Sequence, residues 1–167
     1  MIVVSDSGPI IHLSMIGRTE LIHHLFGEVL LPGAVYREVV EAGAGLPGSL
    51  ELQGASWATV AEPTPSTRLA KLLESDLDPG EVAAILLALE RDAGLILVDD
   101  LAARQAAVRL GLSVIGTLGI LLAARKRGLV DAIEPLVRGL KHQGFWISSS
   151  LEAAVLRSAG EAKTTSE

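Results

Sequence analysis

Short aliphatic runs alternate along the chain with longer stretches in which apolar side chains recur every three or four positions. Ile2-Val3-Val4 stops at Ser5-Asp6 and is followed by Ser7-Gly8-Pro9, which reads as a buried strand with Asp6 at its carboxyl end and then a turn. A helix is expected from Ile10 to Phe26, interrupted near Gly17, with Leu13, Ile16, Leu21, Ile22 and Leu25 on its buried side. Glu28–Leu31 reads as a second strand. Pro32-Gly33 then opens a helix to Ala42, whose apolar side is Val35, Tyr36, Val39 and Val40, with Glu38 at its edge. Residues 43–54 read as a Gly/Pro-rich loop, Trp57–Val60 as a weak third strand and Ser66–Glu74 as a short helix. Asp78-Pro79-Gly80-Glu81 has the form of a helix start, with Asp78 as N-cap, Pro79 at the first helical position and Glu81 at the third. That helix runs to about Asp92, with Glu81 beside its inward face of Val82, Ile85, Leu86 and Leu89. Leu95–Val98 is the clearest buried strand and ends at Asp99-Asp100. Helix 101–110, strand 113–115 and helix 118–127 follow. Two further helical stretches, 130–142 and 149–159, flank Phe145-Trp146-Ile147, which reads as an added edge strand.

Strands alternating with helices imply an α/β fold with a mostly parallel sheet covered on both faces. We expect one domain over residues 1–160 and a disordered tail over 161–167. Apolar residues make up 49% of the chain and only five residues are aromatic, which suits helices packed on an aliphatic sheet and offers little for stacking bases. The chain has no cysteine, which excludes disulfides, thiolate zinc sites and cysteine nucleophiles. No stretch reaches the roughly 18 apolar residues of a membrane span and no leader is visible, so a soluble, cytoplasmic protein without membrane contact is expected.

Charge sharpens this picture because it is unevenly spread. The net charge is −6, yet residues 101–141 carry seven bases and two acids, while residues 1–100 hold fifteen of the twenty acids. An acidic protein can therefore still offer phosphates a basic face. Arg125-Lys126-Arg127 serves that purpose or simply complements the end of its helix.

Two strands end in acid, the first at Asp6 and the fourth at Asp99-Asp100. Where a doubly wound sheet reverses its winding, such strands become neighbours and their carboxylates share a crevice. Glu38 and Glu81 border helices that would flank it. Carboxylates without histidine or cysteine ligands form a hard, oxygen-rich site suited to Mg²⁺ or Mn²⁺, and such a pocket repels itself when no cation is present. That chemistry fits phosphodiester hydrolysis without a protein nucleophile.

The segments V-S-D-S-G-P-I-I-H-L (Val4 to Leu13), L-P-G-A-V-Y-R-E-V (Leu31 to Val39), D-P-G-E-V-A-A-I (Asp78 to Ile85) and L-I-L-V-D-D-L-A-A-R-Q-A-A (Leu95 to Ala107) together resemble PIN-domain proteins. With V-I-G-T-L-G-I-L (Val114 to Leu121), they are similar more narrowly to nucleases related to the VapC toxins of toxin–antitoxin pairs. The resemblance implies a three-layer α/β/α sandwich with strand order 3-2-1-4-5, here with extra C-terminal helices. It implies an acidic quartet of Asp6, Glu38, Glu81 and Asp99, assisted by Asp100, with Asp6, Glu81 and Asp99 holding the metal. Ser7 and Thr117 would orient a water or phosphate. It further implies a Mg²⁺-dependent endoribonuclease with an RNA substrate, a cognate antitoxin as partner, and a homodimer.

Each acid also has a structural explanation. Asp6 precedes turn residues, Glu81 completes a capping box, Glu38 fits a solvated helix face, and Asp99-Asp100 sit where N-caps belong. The four histidines show no metal or acid–base spacing, and His12 reads as structural. Gly43-Ala44-Gly45-Leu46-Pro47-Gly48 matches a dinucleotide-binding pattern but follows a helix, so it carries no weight. A phosphatase of the haloacid-dehalogenase type is disfavoured because Gly8 stands where a second acid is needed. A receiver is disfavoured because a late strand leads to Gly116-Thr117 and not to lysine. The remaining alternative is a PIN-like fold acting only as a regulatory or binding module. If the acids converge, Asp6→Asn and Asp99→Asn are both expected to abolish cleavage without lowering stability.

Overall fold

The computed structural model describes residues 1–65 and 67–161. Five short strands, β1 (Val3–Ser5), β2 (Val29–Leu31), β3 (Ala58–Val60), β4 (Leu95–Leu97) and β5 (Val114–Ile115), form one sheet in the order β3-β2-β1-β4-β5. Every pairing is parallel, with Val4 opposite Leu30 on one side and Ile96 on the other. Successive side chains of a strand point to opposite faces, and the two central strands divide accordingly. Val3 and Leu97 belong to one apolar core, Val4, Ile96 and Val98 to the other.

The first core packs against α1 (Ser7–Met15), α2 (Glu20–Phe26), α8 (Thr117–Lys126), α9 (Glu134–His142) and α10 (Ser149–Ser158), through Ile10, Leu13, Ile22, Ile120, Val137 and Val155. The second packs against α5 (Thr67–Leu73), α6 (Pro79–Glu90) and α7 (Leu101–Arg109), through Leu73, Val82, Ile85, Ala103 and Ala107. The three-layer α/β/α sandwich and its strand order are thus as the sequence led us to expect.

Winding reverses between β1 and β4: the helix after β1 covers one face and the helices on either side of β4 cover the other. Because all strands run the same way, α1, α6, α7 and α8 all begin at the carboxyl edge of the sheet. Their partially positive N-termini converge there.

Several details depart from expectation. The first helix begins at Ser7 and is two helices, because Gly17 adopts φ +64 and turns the chain between them. The helix after β2 is α-helical only over α3 (Gly33–Tyr36) and π-helical over Arg37–Ala42. The loop 43–54 contains α4 (Ser49–Gln53). Helix α9 starts at Glu134 rather than Val130. Phe145–Ile147 is not a strand; β5 stays the edge and this tripeptide joins α9 to α10. Glu161 bonds the backbone of Ile133 and Glu134, and the remainder of the expected tail, 162–167, lies outside the described residues.

Candidate active site

Asp6 leaves β1 as the N-cap of α1, yet its side chain makes no capping hydrogen bond. Its backbone N–H donates to Leu97 O (2.9 Å), fixing it beside the end of β4. The residue is 4% exposed, and its Oδ1 is buried with no hydrogen-bond partner among the described residues. Burial is the main force that pushes its carboxyl up to about 7; the Ser7 backbone hydrogen bond opposes it, and the charges of Asp78, Glu81 and Glu38 add to it. A buried polar oxygen without a partner is unfavourable, and here the charge of other carboxylates adds to the cost.

Those carboxylates come from two elements. Glu38 lies on the π-helical segment, and its Oε1 accepts from Ser7 Oγ (3.1 Å). Asp78 caps α6: its Oδ1 accepts from the Glu81 N–H (2.8 Å), while Glu81 Oε2 accepts from the Asp78 N–H (3.0 Å). The expected capping box therefore exists, and it occupies one oxygen of each partner. Gly80 lets these groups meet, since a Cβ there would lie 3.0 Å from Glu38 Oε2 and 3.4 Å from Asp78 Oδ1. The pKa values of Glu38 and Glu81 are raised, each by partial burial first and then by neighbouring acids, with Asp100 among those acting on Glu81.

Asp99 behaves in the opposite way. Its Oδ2 accepts from Thr117 Oγ1 (2.6 Å) and lies 2.6 Å from His12 Nδ1, and its Oδ1 accepts from the Thr117 N–H (2.7 Å). Burial opposes ionisation, but the hydrogen bonds from His12 and Thr117 outweigh it and hold the carboxyl below its usual range. None of the forces on it is another acid. Asp100 caps α7, its Oδ1 accepting from the Ala103 N–H (2.9 Å).

All five expected acids therefore stand at one edge of the sheet. The four that press on one another by charge are Asp6, Glu38, Glu81 and Asp100, joined by Asp78, while Asp99 is engaged by His12 and Thr117. Ser7 and Thr117 both spend their hydroxyl protons on carboxylates. Sequence reasoning missed Asp78, whose capping signal hid its charge, and His12, whose partner is 87 residues away. It also missed Arg104, which lines the same cavity. Arg125 instead pairs with Glu161, and Arg127 donates to Leu25 O, at the end of α8 away from the acids.

The donor set is entirely oxygen and suits a hard divalent ion, and the unpartnered Oδ1 of Asp6 is an atom such an ion would satisfy. Among the described residues, no three acidic or histidine side chains stand close enough to hold one ion together, so binding requires side chains to draw in.

A family model for the PIN domain matches residues 2–161. The chain belongs to the PIN-domain family. The match spans every strand and helix described above, and membership places the chain in a nuclease-like superfamily. A search of curated proteins returned no match. No helix among the described residues of this PIN domain is long and apolar enough to cross a membrane.

Proposed function

We propose that this PIN domain is a metal-dependent endoribonuclease that hydrolyses phosphodiester bonds with Mg²⁺ or Mn²⁺ as cofactor. The observation that carries the reading is Asp6: a carboxylate with one oxygen unpartnered, its pKa raised by burial first and then by three neighbouring acids, at the crevice where the sheet changes its winding. Asp6, Glu81 and Asp100 would hold the ion, each having an oxygen outside the hydrogen bonds described above, with Glu38 and Asp78 beside them. When bound, the metal supplies the charge neutralisation and water activation that the reaction needs.

The chain's own residues supply position. Ser7 holds Glu38, Asp78 and Glu81 fix each other, and Asp99 clamps His12 to the first turn of α8. If Asp99 is itself a ligand, as the family resemblance implies, it exchanges one of its protein donors for the ion. Resemblance in the motif segments is what supports a toxin role with a cognate antitoxin and a homodimer.

The competing reading is a PIN fold that binds without cutting, and what favours it is the absence of three ligands already in place among the described residues. Incubation of an RNA panel with the protein in Mg²⁺, in EDTA and as Asp6→Asn separates the two. The nuclease reading expects cleavage in the first alone. Cleavage that survives in the Asp6 variant rejects the mechanism, and no cleavage of any RNA favours the binding module.

A further inference from the structure

The acids occupy only part of their cavity. It measures about 750 Å³ and reaches the α9–α10 connection, where Phe145, Trp146 and Leu151 line it together with Leu101, Leu118 and Arg104. Trp146 is 84% exposed, although the residues on either side of it are anchored. Phe145 packs its ring edge-to-face on His12 at 4.8 Å, and His12 is in turn tied to Asp99. Ile147 is 8% exposed within the core, and Ser148 caps α10 through the Leu151 N–H. The indole is thus presented from a fixed backbone at the rim of the acidic site. Leu101 and Leu151, also exposed, line the same cavity.

From this arrangement we infer that Trp146 is a stacking platform for an unpaired nucleobase of the RNA strand whose phosphate lies at the acids, with Arg104 meeting a neighbouring phosphate. The inference rests on the nuclease reading and specifies its substrate as single-stranded. Three features select a nucleotide over other occupants. An aromatic face in water beside a charged cleft suits a flat, polar-edged ring better than an aliphatic side chain. Arg104 takes part in none of the ion pairs among the described residues, and its Nη1 lies 2.8 Å from the point where a Gly116 side chain would begin, as does Asp99 Oδ1. A cation at the edge of an acidic cluster is what a polyanion needs in order to approach. Finally, Trp146 lines the same cavity as Asp6, Glu81 and Asp99, so one strand can rest on the indole and extend to the carboxylates.

The chain has two tryptophans, Trp57 and Trp146, so intrinsic fluorescence reads the site directly. The experiment titrates a short oligouridylate, and separately an RNA duplex, into full-length wild-type protein in buffer containing Ca²⁺, an oxygen-seeking ion with looser coordination than Mg²⁺ that fills the acidic site for binding without turnover. Expected are quenching by the single strand, retention of that quenching in a Trp57→Phe background, and its loss with Trp146→Ala. Trp146→Ala is also expected to weaken single-strand binding by at least about fivefold, with partial rescue by Trp146→Phe. Single-strand binding that stays within about twofold in Trp146→Ala, or duplex binding of equal strength, overturns the platform. Absence of any RNA-dependent quenching does so too. Binding is read without turnover, so Trp146-dependent binding in a protein that never cleaves leaves the platform standing while the nuclease reading falls.

Discussion

Replacing Asp6 by asparagine removes the charge and keeps the shape of a buried side chain whose Oδ1 has no partner among the described residues. In the folded chain Asp6 ionises near 7, whereas its ordinary value is 3.8. Between those two values the folded state holds a proton that the unfolded chain has released, so stability falls as pH rises through the window. Each tenfold difference in ionisation constant corresponds to about 1.4 kcal/mol, which makes the full penalty on the order of 4 kcal/mol by about pH 8. The amide of the variant never ionises and escapes it. For a chain of this size about 1 kcal/mol moves Tm by 2–4 °C, so Asp6→Asn is expected to raise Tm by roughly 10 °C near pH 8. The gain should shrink to a degree or two near pH 4, where Asp6 is largely protonated in the folded state and half-protonated in the unfolded one. Differential scanning calorimetry of both proteins in EDTA across that range measures the difference directly. A variant that is destabilised at every pH, or stabilised by the same amount at every pH, refutes the electrostatic reasoning.

Other outcomes follow from the same geometry. Asp99→Asn should behave oppositely to Asp6→Asn, losing about 1–3 kcal/mol in urea unfolding, because an amide presents one acceptor to donors that now use two oxygens. This corrects the expectation that both asparagine variants are neutral or stabilising. Asp99's contribution is present above its ordinary pKa and is lost as pH falls below it, so the wild-type-to-variant gap should close only in strong acid. Asp78→Ala removes a capping partner of α6 and should cost about 1 kcal/mol in the same assay, whereas Asp78→Asn should retain most of the cap. Millimolar Mg²⁺ should raise the wild-type Tm near neutral pH and leave that of Asp6→Asn nearly unchanged, since binding to the native state alone stabilises it.

Much of the fold was legible because its signals are local. Strands ending at Asp6 and Asp99, the capping sequence 78–81 and the alternation of strand and helix pointed to a mostly parallel sheet covered on both faces, while the strand order came from the family resemblance. What stayed hidden depended on spatial partners or on backbone forms without a periodic signature. A π-helical stretch at Arg37–Ala42 shifts side chains relative to an α-helical wheel, and no residue type announces it. Phe145–Ile147 has the composition of a strand, but its neighbours are His12 and the acidic cavity, not a sheet edge.

The candidate site was legible as a set of residues and not as a division of labour. Asp99 and Asp100 are adjacent in sequence and look interchangeable. One is saturated by His12 and Thr117, and the other caps α7 beside Glu81. Five aromatic residues suggested little stacking capacity, yet two of them line the cavity that holds the acids. Count and composition could not reveal that placement.

Electron paramagnetic resonance of Mn²⁺ tests the central claim most directly, because free Mn²⁺ gives a signal that a bound ion loses. Titrated near neutral pH, the wild-type protein is expected to diminish the free signal and Mg²⁺ to restore it, while Asp6→Asn leaves it unchanged. A wild-type protein that leaves the signal untouched at millimolar Mn²⁺, or an Asp6 variant that binds equally well, contradicts the account.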